Sequence, residues 1–401
     1  MSLPIAGPET TGPAHRMREM VVRLAADEFA GRRVGSAGGR AAARWLAEQL
    51  RSVGAQVRLD EFTVTGAVKE LSAPPVLIWH QEFGDTDLVH RRDFAEHLAS
   101  AHLPTVRKGQ LTLAGSGKER GAWVVAETLG TASLPHLFAA GAAGLLVPRG
   151  ADDAGWMPKM IAGPAAGPLP VLSVRTDLHT QLAASAEGSG SWVSASVPVK
   201  SVEVNGINVH GVFREPEPGA LSVLLAAHFD GVGDDAGLRH PAAADNASGV
   251  AVIVEAAQQL HHTLPPGMGL AVALLDAEEA GAHGSAHHAP QVPAGTLVIN
   301  MDGAAQLHQA AAVEAGGPAH ALLAALDQAG RLAGVPLRAQ AMPSDNRRYA
   351  AAGLAAVGIG MGMPGYQTPA ETADRVEDST LLAAAALITT TVTILREHVK
   401  V

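Results

Sequence analysis

Between Ala14 and Leu50 apolar residues recur at helical spacing in two pieces, split by a turn-like stretch over Gly31–Gly39, GRRVGSAGG. The second piece, Ala41–Leu50, reads as an amphipathic helix. Gln56–Val64 then roughly alternates, with Val57, Leu59, Phe62 and Val64 as its apolar positions, and predicts a strand. From about residue 67 to residue 199 the texture changes. Short β-like runs at Trp123–Ala126, Gly144–Val147, Leu169–Val174 and Ser191–Val197 alternate with Gly, Pro and Ser breaks. Two short helical patterns stand near Ala132–Ala142 and Asp177–Ala186. This stretch reads as a separate small β-rich module. From Asn205 onward, continuous apolar strands at Leu221–Ala227, Gly269–Leu275, Leu297–Met301 and Ala355–Ile359 alternate with helices at Ser248–His261, Pro318–Leu332 and Thr380–Val399. Such alternation predicts an α/β sheet covered on both faces. The expected organisation is one discontinuous α/β domain, residues 1–66 and 200–401, interrupted by the module at 67–199.

Composition narrows this picture. A chain of 401 residues suggests two or three units at about 150 residues each. At 47% hydrophobic and 17% charged, it is not an ordinary disordered chain. Aromatics are 3%, so the core must be mostly Ala, Val and Leu. A net charge of −10 argues against a nucleic-acid partner, which needs a basic face. Met1–His15 has neither a basic n-region nor an apolar h-region, so no secretory signal is read there. No run reaches the apolar length of a bilayer span, and Leu381–Leu395 reads as a buried C-terminal helix. The expectation is a cytoplasmic protein without a membrane partner, although a mature secreted form would read the same way. Homo-oligomerisation is left open. With no cysteine, a metal would have to be held by His, Asp or Glu, and the 18 histidines make that worth pursuing.

Several acidic and His residues fall at the ends of predicted strands, where α/β sheets build their sites. His228 and Asp230 follow the first strand of the second half; in an extended H-x-D both side chains point the same way. Asp230 could then orient the imidazole through its second nitrogen. Asp245 and Asn246 precede a helix, where an Asx or Ser N-cap is the plainer reading. Glu278 and Glu279 follow another strand. They read as a solvated loop or as a metal ligand beside a base. Asp302 ends a third strand, where burial would be costly without a partner, and its alternative is an exposed turn before Gly303. PGYQTPAETADRVE, after the last strand, is by itself an ordinary loop.

Taken in order, these motifs resemble the di-zinc metallopeptidases that include bacterial leucyl aminopeptidases and glutamate carboxypeptidases. The matching residues are His228-Phe-Asp230, Asp245-Asn246-Ala-Ser248-Gly249, Glu278-Glu279-Ala-Gly281-Ala-His-Gly284-Ser285, Asn300-Met-Asp302, Ser344-Asp345 and Tyr366-Gln367-Thr368-Pro-Ala-Glu371-Thr372. GRRVGSAGGRAAARWLAEQL is similar to that family's N-terminal region, and residues 67–199 resemble its protease-associated insert. The resemblance implies a mixed central sheet flanked by helices, zinc aminopeptidase-like and of the phosphorylase/hydrolase-like kind. It implies Asp245 bridging two metals, His228 and Asp302 completing one shell, and Glu279 and residue 367 completing the other. It further implies Glu278 as general base to a metal-activated water, Asp230 orienting His228, Tyr366 donating to the oxyanion, and often a cis Asp245–Asn246 peptide. The implied activity is hydrolysis of a peptide or amide substrate by a metal-dependent exopeptidase, most simply an aminopeptidase.

One position departs from the pattern. The last ligand, a His in the family, is Gln367 here. A glutamine carbonyl is a poor zinc ligand beside imidazole. One zinc keeps its full set, while the Glu279/Gln367 place loses its nitrogen donor. It is expected to be weak, empty, filled by Mn, Co or Mg, or served by another His. His240 is the nearest candidate by sequence, and otherwise a surface loop residue. Gln367 also motivates one alternative, a non-catalytic binding or scaffold protein, and counts against another, a single-metal amide acyl transferase of the glutaminyl cyclase kind. The intact Glu278 and Asp230 speak against the first. The second resembles enzymes that keep the metal whose His is missing here.

Overall fold

The computed structural model describes residues 12–130, 133–188 and 190–398. Most of the N-terminal stretch read for a targeting signal lies outside the described residues, as do Ala132 and Val399 at the ends of two predicted helices.

The central sheet has eight strands. Across it they run Gln56–Leu71, Val199–Arg214, Gly269–Leu275, Ser222–His228, Leu297–Met301, Ala355–Gly360, Ala311–Gly316 and Leu337–Ala339. Gly269–Leu275, Ser222–His228, Leu297–Met301 and Ala355–Gly360 are mutually parallel, while the strands flanking them pair antiparallel, so the sheet is mixed. Alternate residues of the parallel strands face opposite layers, as the two-residue period of a strand requires. Val223, Leu225 and Ala227 pack into a core with helices Pro13–Leu24, Ala37–Ser52, Ser248–Thr263, His320–Ala333 and Asp378–His398. Leu224 and Ala226 face the other side, where Ala289 and Tyr349 cover them. Both faces are buried, which explains why these strands read as unbroken apolar runs.

Two expectations need correction. The strand begun at Gln56 continues through Leu71, so residues 67–71 belong to the central sheet. Helix segment Asp378–Arg396 is, by length and composition, apolar enough to cross a membrane. Leu381, Leu387, Ile388, Val392 and Leu395 are nevertheless buried in the main core.

Between Leu71 and Val199 the chain builds a second eight-stranded sheet, with helices Leu134–Ala139 and Thr176–Glu187. Its core centres on the fully buried Trp123. Arg91 of this unit is also buried; it donates to Glu96 at 2.6 Å and to Asp235 of the central unit at 2.7 Å. Lys159 adds a 2.8 Å ion pair to the same Asp235. A buried network of this kind is weak as a source of stability and strong as a constraint on register.

A histidine cluster lies where helix His283–His288 packs on the sheet edge. His210 packs against His288 with the rings tilted at 38° and their centroids 4.1 Å apart, and His288 Nδ1 meets the Tyr349 hydroxyl at 2.9 Å. Burial pushes His210 down to about 4 and His288 down to about 3, with Arg58 and neighbouring histidines adding and Asp60 opposing. The unfolded chain takes up these protons near pH 6.5, whereas the folded chain refuses them until well below that. Stability is therefore present above pH 6.5 and lost as pH falls through this window, by up to about 1.4 kcal/mol per pH unit for each histidine. Denaturant unfolding followed from pH 7 to 4 should show this slope, and His210→Gln should reduce it. An unchanged slope would remove His210 from the account.

Candidate metal centre

The parallel strands deliver the centre at their carboxyl ends. His228 is the last residue of its strand and Asp302 follows the next one. His228 Nε2 lies 3.1 Å from Asp245 Oδ1 and 3.2 Å from Asp302 Oδ1. One ligand atom from each of these three buried residues falls within 4.8 Å of the others. Burial alone would push the imidazole down; the Asp302 charge, and hydrogen bonds to Asp230, Asp245 and Asp302, outweigh it and hold His228 well above its ordinary value. A protonated His228 thus occupies the point where the two carboxylates call for positive charge. A divalent cation satisfies the same demand, so one nitrogen and two oxygen donors converging here fit a metal.

The Asp245 loop is held from several sides. The Asp245–Asn246 peptide is cis. Asn246 Oδ1 accepts from Gly249 N and Gly303 N, and its Nδ2 donates to Met301 O, tying the loop to the Asp302 strand. A Cβ at residue 249 would sit 2.2 Å from Asn246 Oδ1, which explains the glycine of that motif. Ser248 Oγ donates to Ala244 O and accepts from Ala304 N, so it braces the loop as well as the helix start.

Asp230 does more than face His228. His228 Nδ1 lies 3.2 Å from the Asp230 carbonyl oxygen, whereas the carboxylate is 3.5 Å away. The carboxylate also accepts from Glu278 N at 3.0 Å and Glu279 N at 3.2 Å. Asp230 therefore faces the imidazole with both its carbonyl and its carboxylate, and the same carboxylate fixes the two-glutamate loop. Burial raises both glutamate carboxyls well above the ordinary range. Asp302, Asp345 and Asp245 add to this for Glu278, and Asp245 and Glu278 for Glu279, with His228 opposing.

Gln367 reaches the centre with its backbone in the left-handed region, at φ 54°. Its Nε2 donates to Glu279 Oε2 at 2.5 Å. Glu279 Oε1 and Gln367 Oε1 remain buried without a hydrogen-bond partner. The inserted unit holds this loop: Lys159 N donates to Gln367 O at 2.9 Å, and Thr368 Oγ1 donates to Asp152 Oδ2 at 3.2 Å. Tyr366 stands half exposed beside it. Burial, and then the charges of Asp245, Glu279, Asp302 and Glu278, raise its phenol, so the hydroxyl stays protonated.

His240 does not complete the second place, and it is not a surface residue. It is buried, with Nε2 3.3 Å from Asp235 Oδ2 in the network around Arg91 and Lys159. Three further residues matter that the motif reading left without a role. Glu371 accepts from Asp245 N at 2.6 Å and Gln367 N at 2.7 Å, linking the loops that carry them. Asp345 accepts from Ser285 Oγ, and burial pushes its carboxyl up to about 7. Arg32 is fully buried behind the His228 loop. All three stood inside quoted motifs, Arg32 at the start of the Gly-rich N-terminal stretch GRRVGSAGG.

The mixed sheet, with His228, Asp245 and Asp302 gathered near its parallel strand ends, has the fold of solved zinc aminopeptidases. Residues 208–392 match the sequence profile of Peptidase family M28, and the likeness to the di-zinc metallopeptidases holds. No curated protein matches the chain in sequence. Among solved structures, a zinc aminopeptidase from Bacillus subtilis is similar with a TM-score of 0.71 at 19% identity, over 94% of each chain. The aminopeptidase from Aneurinibacillus sp. strain AM-1 gives a TM-score of 0.67 at 18% identity, over 94% of this chain and 93% of its own. A Porphyromonas gingivalis glutaminyl cyclase gives 0.51 at 14% identity, over 95% of this chain and 97% of its own. At these identities the structures speak for the fold alone.

Proposed function

We propose that the protein is a metal-dependent exopeptidase, most simply an aminopeptidase. The observation that carries this reading is the buried convergence of His228, Asp245 and Asp302 beside Glu278. His228, Asp245 and Asp302 would hold a transition metal of the zinc class. Glu279 and Gln367, with Asp245 shared, offer only oxygen donors and suit a weaker, harder ion such as Mn or Mg. When bound, the metal supplies Lewis-acid charge to the scissile carbonyl and to the attacking water.

The chain's own residues do the rest. Glu278 takes the proton from the attacking water and returns it to the leaving amine. Burial keeps this carboxylate more basic than an exposed one, which suits a group that must both accept and donate. Asp230 holds the glutamate loop through Glu278 N and Glu279 N, so the base stands in one position. Tyr366, kept protonated, can donate to the carbonyl oxygen as charge builds there.

The test combines metal analysis with hydrolysis of aminoacyl and dipeptide substrates. The expected result is one tightly held transition-metal equivalent and release of the N-terminal residue. Metal-loaded protein inert across both substrate classes would sink the peptidase reading. The glutaminyl cyclase fold likeness motivates a second reading, cyclising acyl transfer, which mass analysis of products from Gln-initiated peptides separates from hydrolysis.

A further inference from the structure

Arg32 is a guanidinium at zero exposure whose hydrogen-bond partners are all main-chain carbonyls. Its Nε donates to Phe229 O at 2.6 Å and its Nη2 to Ala242 O at 2.6 Å. Its Nη1 donates to Leu24 O at 2.7 Å and Pro241 O at 3.0 Å. Phe229 lies between His228 and Asp230, and Ala242 stands three residues before Asp245. One side chain therefore joins the loops that carry two of the three converging residues, His228 and Asp245, to the end of the N-terminal helix.

The local backbone is built to deliver this group. Ala30, Gly31 and Arg32 all have positive φ, at 44°, 68° and 53°. Gly31 packs so closely that a Cβ there would lie 2.7 Å from His240 O and 2.8 Å from Gly233 Cα. Gly233 N and Asp234 N donate back to Gly31 O and Ala30 O, which locks the segment beneath the His228 loop.

The charge is as distinctive as the contacts. A buried arginine ordinarily pairs directly with a carboxylate. Here burial lowers the guanidinium to about 10, and the charges that oppose this belong to Glu371, Asp230, Asp245 and Glu279. It stays protonated at neutral pH. Glu371 and Asp230 are the two carboxylates whose acceptors are filled by main-chain N–H groups of Asp245, Gln367, Glu278 and Glu279.

We propose that Arg32 is a positioning residue for the metal centre: it clamps the His228 and Asp245 loops by the carbonyls of Phe229, Pro241 and Ala242. This rests on the proposed metallopeptidase reading only where metal and turnover are read. A lysine keeps the charge, but its single nitrogen cannot span the same carbonyls.

Arg32→Lys and Arg32→Ala test the clamp by hydrogen exchange, metal titration and kinetics. In Arg32→Lys, amide exchange should quicken locally in residues 228–234 and 240–247 while the rest of the chain is unchanged. Metal affinity should fall about 10–100-fold. Turnover should fall by at least about tenfold with KM within about threefold, because the ligands are misplaced while the substrate surface is kept. Arg32→Ala should show the same local loosening, partly reversed by millimolar guanidinium and not by sodium chloride at equal ionic strength. If Arg32→Ala does not fold, Arg32→Lys alone decides. Wild-type exchange and affinity in Arg32→Lys, or faster exchange spread evenly over the chain, would overturn the proposal. The exchange readout needs neither metal nor substrate. A wild-type protein that bound no metal would therefore sink the metallopeptidase reading and leave the clamp to be judged on exchange.

Discussion

Glu278→Gln is expected to lower turnover by about 10²–10⁴-fold while leaving metal content and fold intact. The two halves of that expectation come from different parts of the structure. The loss follows from chemistry: an amide of the same shape can neither take a proton from water nor return one to the leaving amine. The preserved metal follows from geometry, because the converging group is His228, Asp245 and Asp302, and Glu278 is not in it. The loop should also keep its place, since Asp230 holds it through main-chain N–H groups that the substitution leaves alone. KM should change little, because the base acts on the transition state. Steady-state kinetics beside metal analysis checks this. Loss of metal together with activity would make Glu278 a ligand, and retained activity would remove it as the base.

The parts of this centre differ in how far they could be read from the chain. Gly269–Leu275 and Leu297–Met301 were legible residue for residue, because strands buried on both faces leave predominantly apolar runs, with Asn300 the one polar residue among them. His228, Glu278, Glu279 and Asp302 were legible as a series, since each stands at or just beyond such a run, whereas Asp245 precedes a helix and Gln367 lies on a loop. Ala311–Gly316 and Leu337–Ala339 were not, being short strands with little apolar signal, the second of them at the sheet edge. Arg32 was illegible for a physical reason. Its burial depends on carbonyls of Phe229, Pro241 and Ala242, some two hundred residues away, and nothing local separates it from a surface arginine in a glycine-rich turn. His240 shows the converse. Its closeness in sequence to Asp245 suggested a shared site, yet Asp235 and the inserted unit hold it elsewhere. Asp230 falls between: the pairing with His228 was foreseeable, but the carbonyl contact to the imidazole and the carboxylate's hold on the glutamate loop were not.

Gln367→His should raise the affinity of the Glu279 place for zinc by at least about 10²-fold, so that the protein takes up a second equivalent where the wild type holds one tightly. In the wild type the only nitrogen near Glu279 from this residue is an amide that donates a proton and cannot ligate. An imidazole would replace that donor with a lone pair, and Glu279 Oε2 would be released from its hydrogen bond. The buried, unpartnered Glu279 Oε1 is already available. The backbone should accept the change, because histidine is among the residues that tolerate the left-handed region that position 367 adopts. The contacts that fix this loop, Gln367 N to Glu371 Oε2 and Lys159 N to Gln367 O, are main-chain contacts at this position and survive it. Zinc titration with elemental analysis of wild type and variant reads the result directly. Two equivalents in the variant and one in the wild type would place the departure from the di-zinc pattern in this single side chain. One equivalent in both would mean that the Glu279 side of the centre is shaped by more than its missing imidazole, with the Lys159 and Asp152 contacts of the inserted unit the next to be changed.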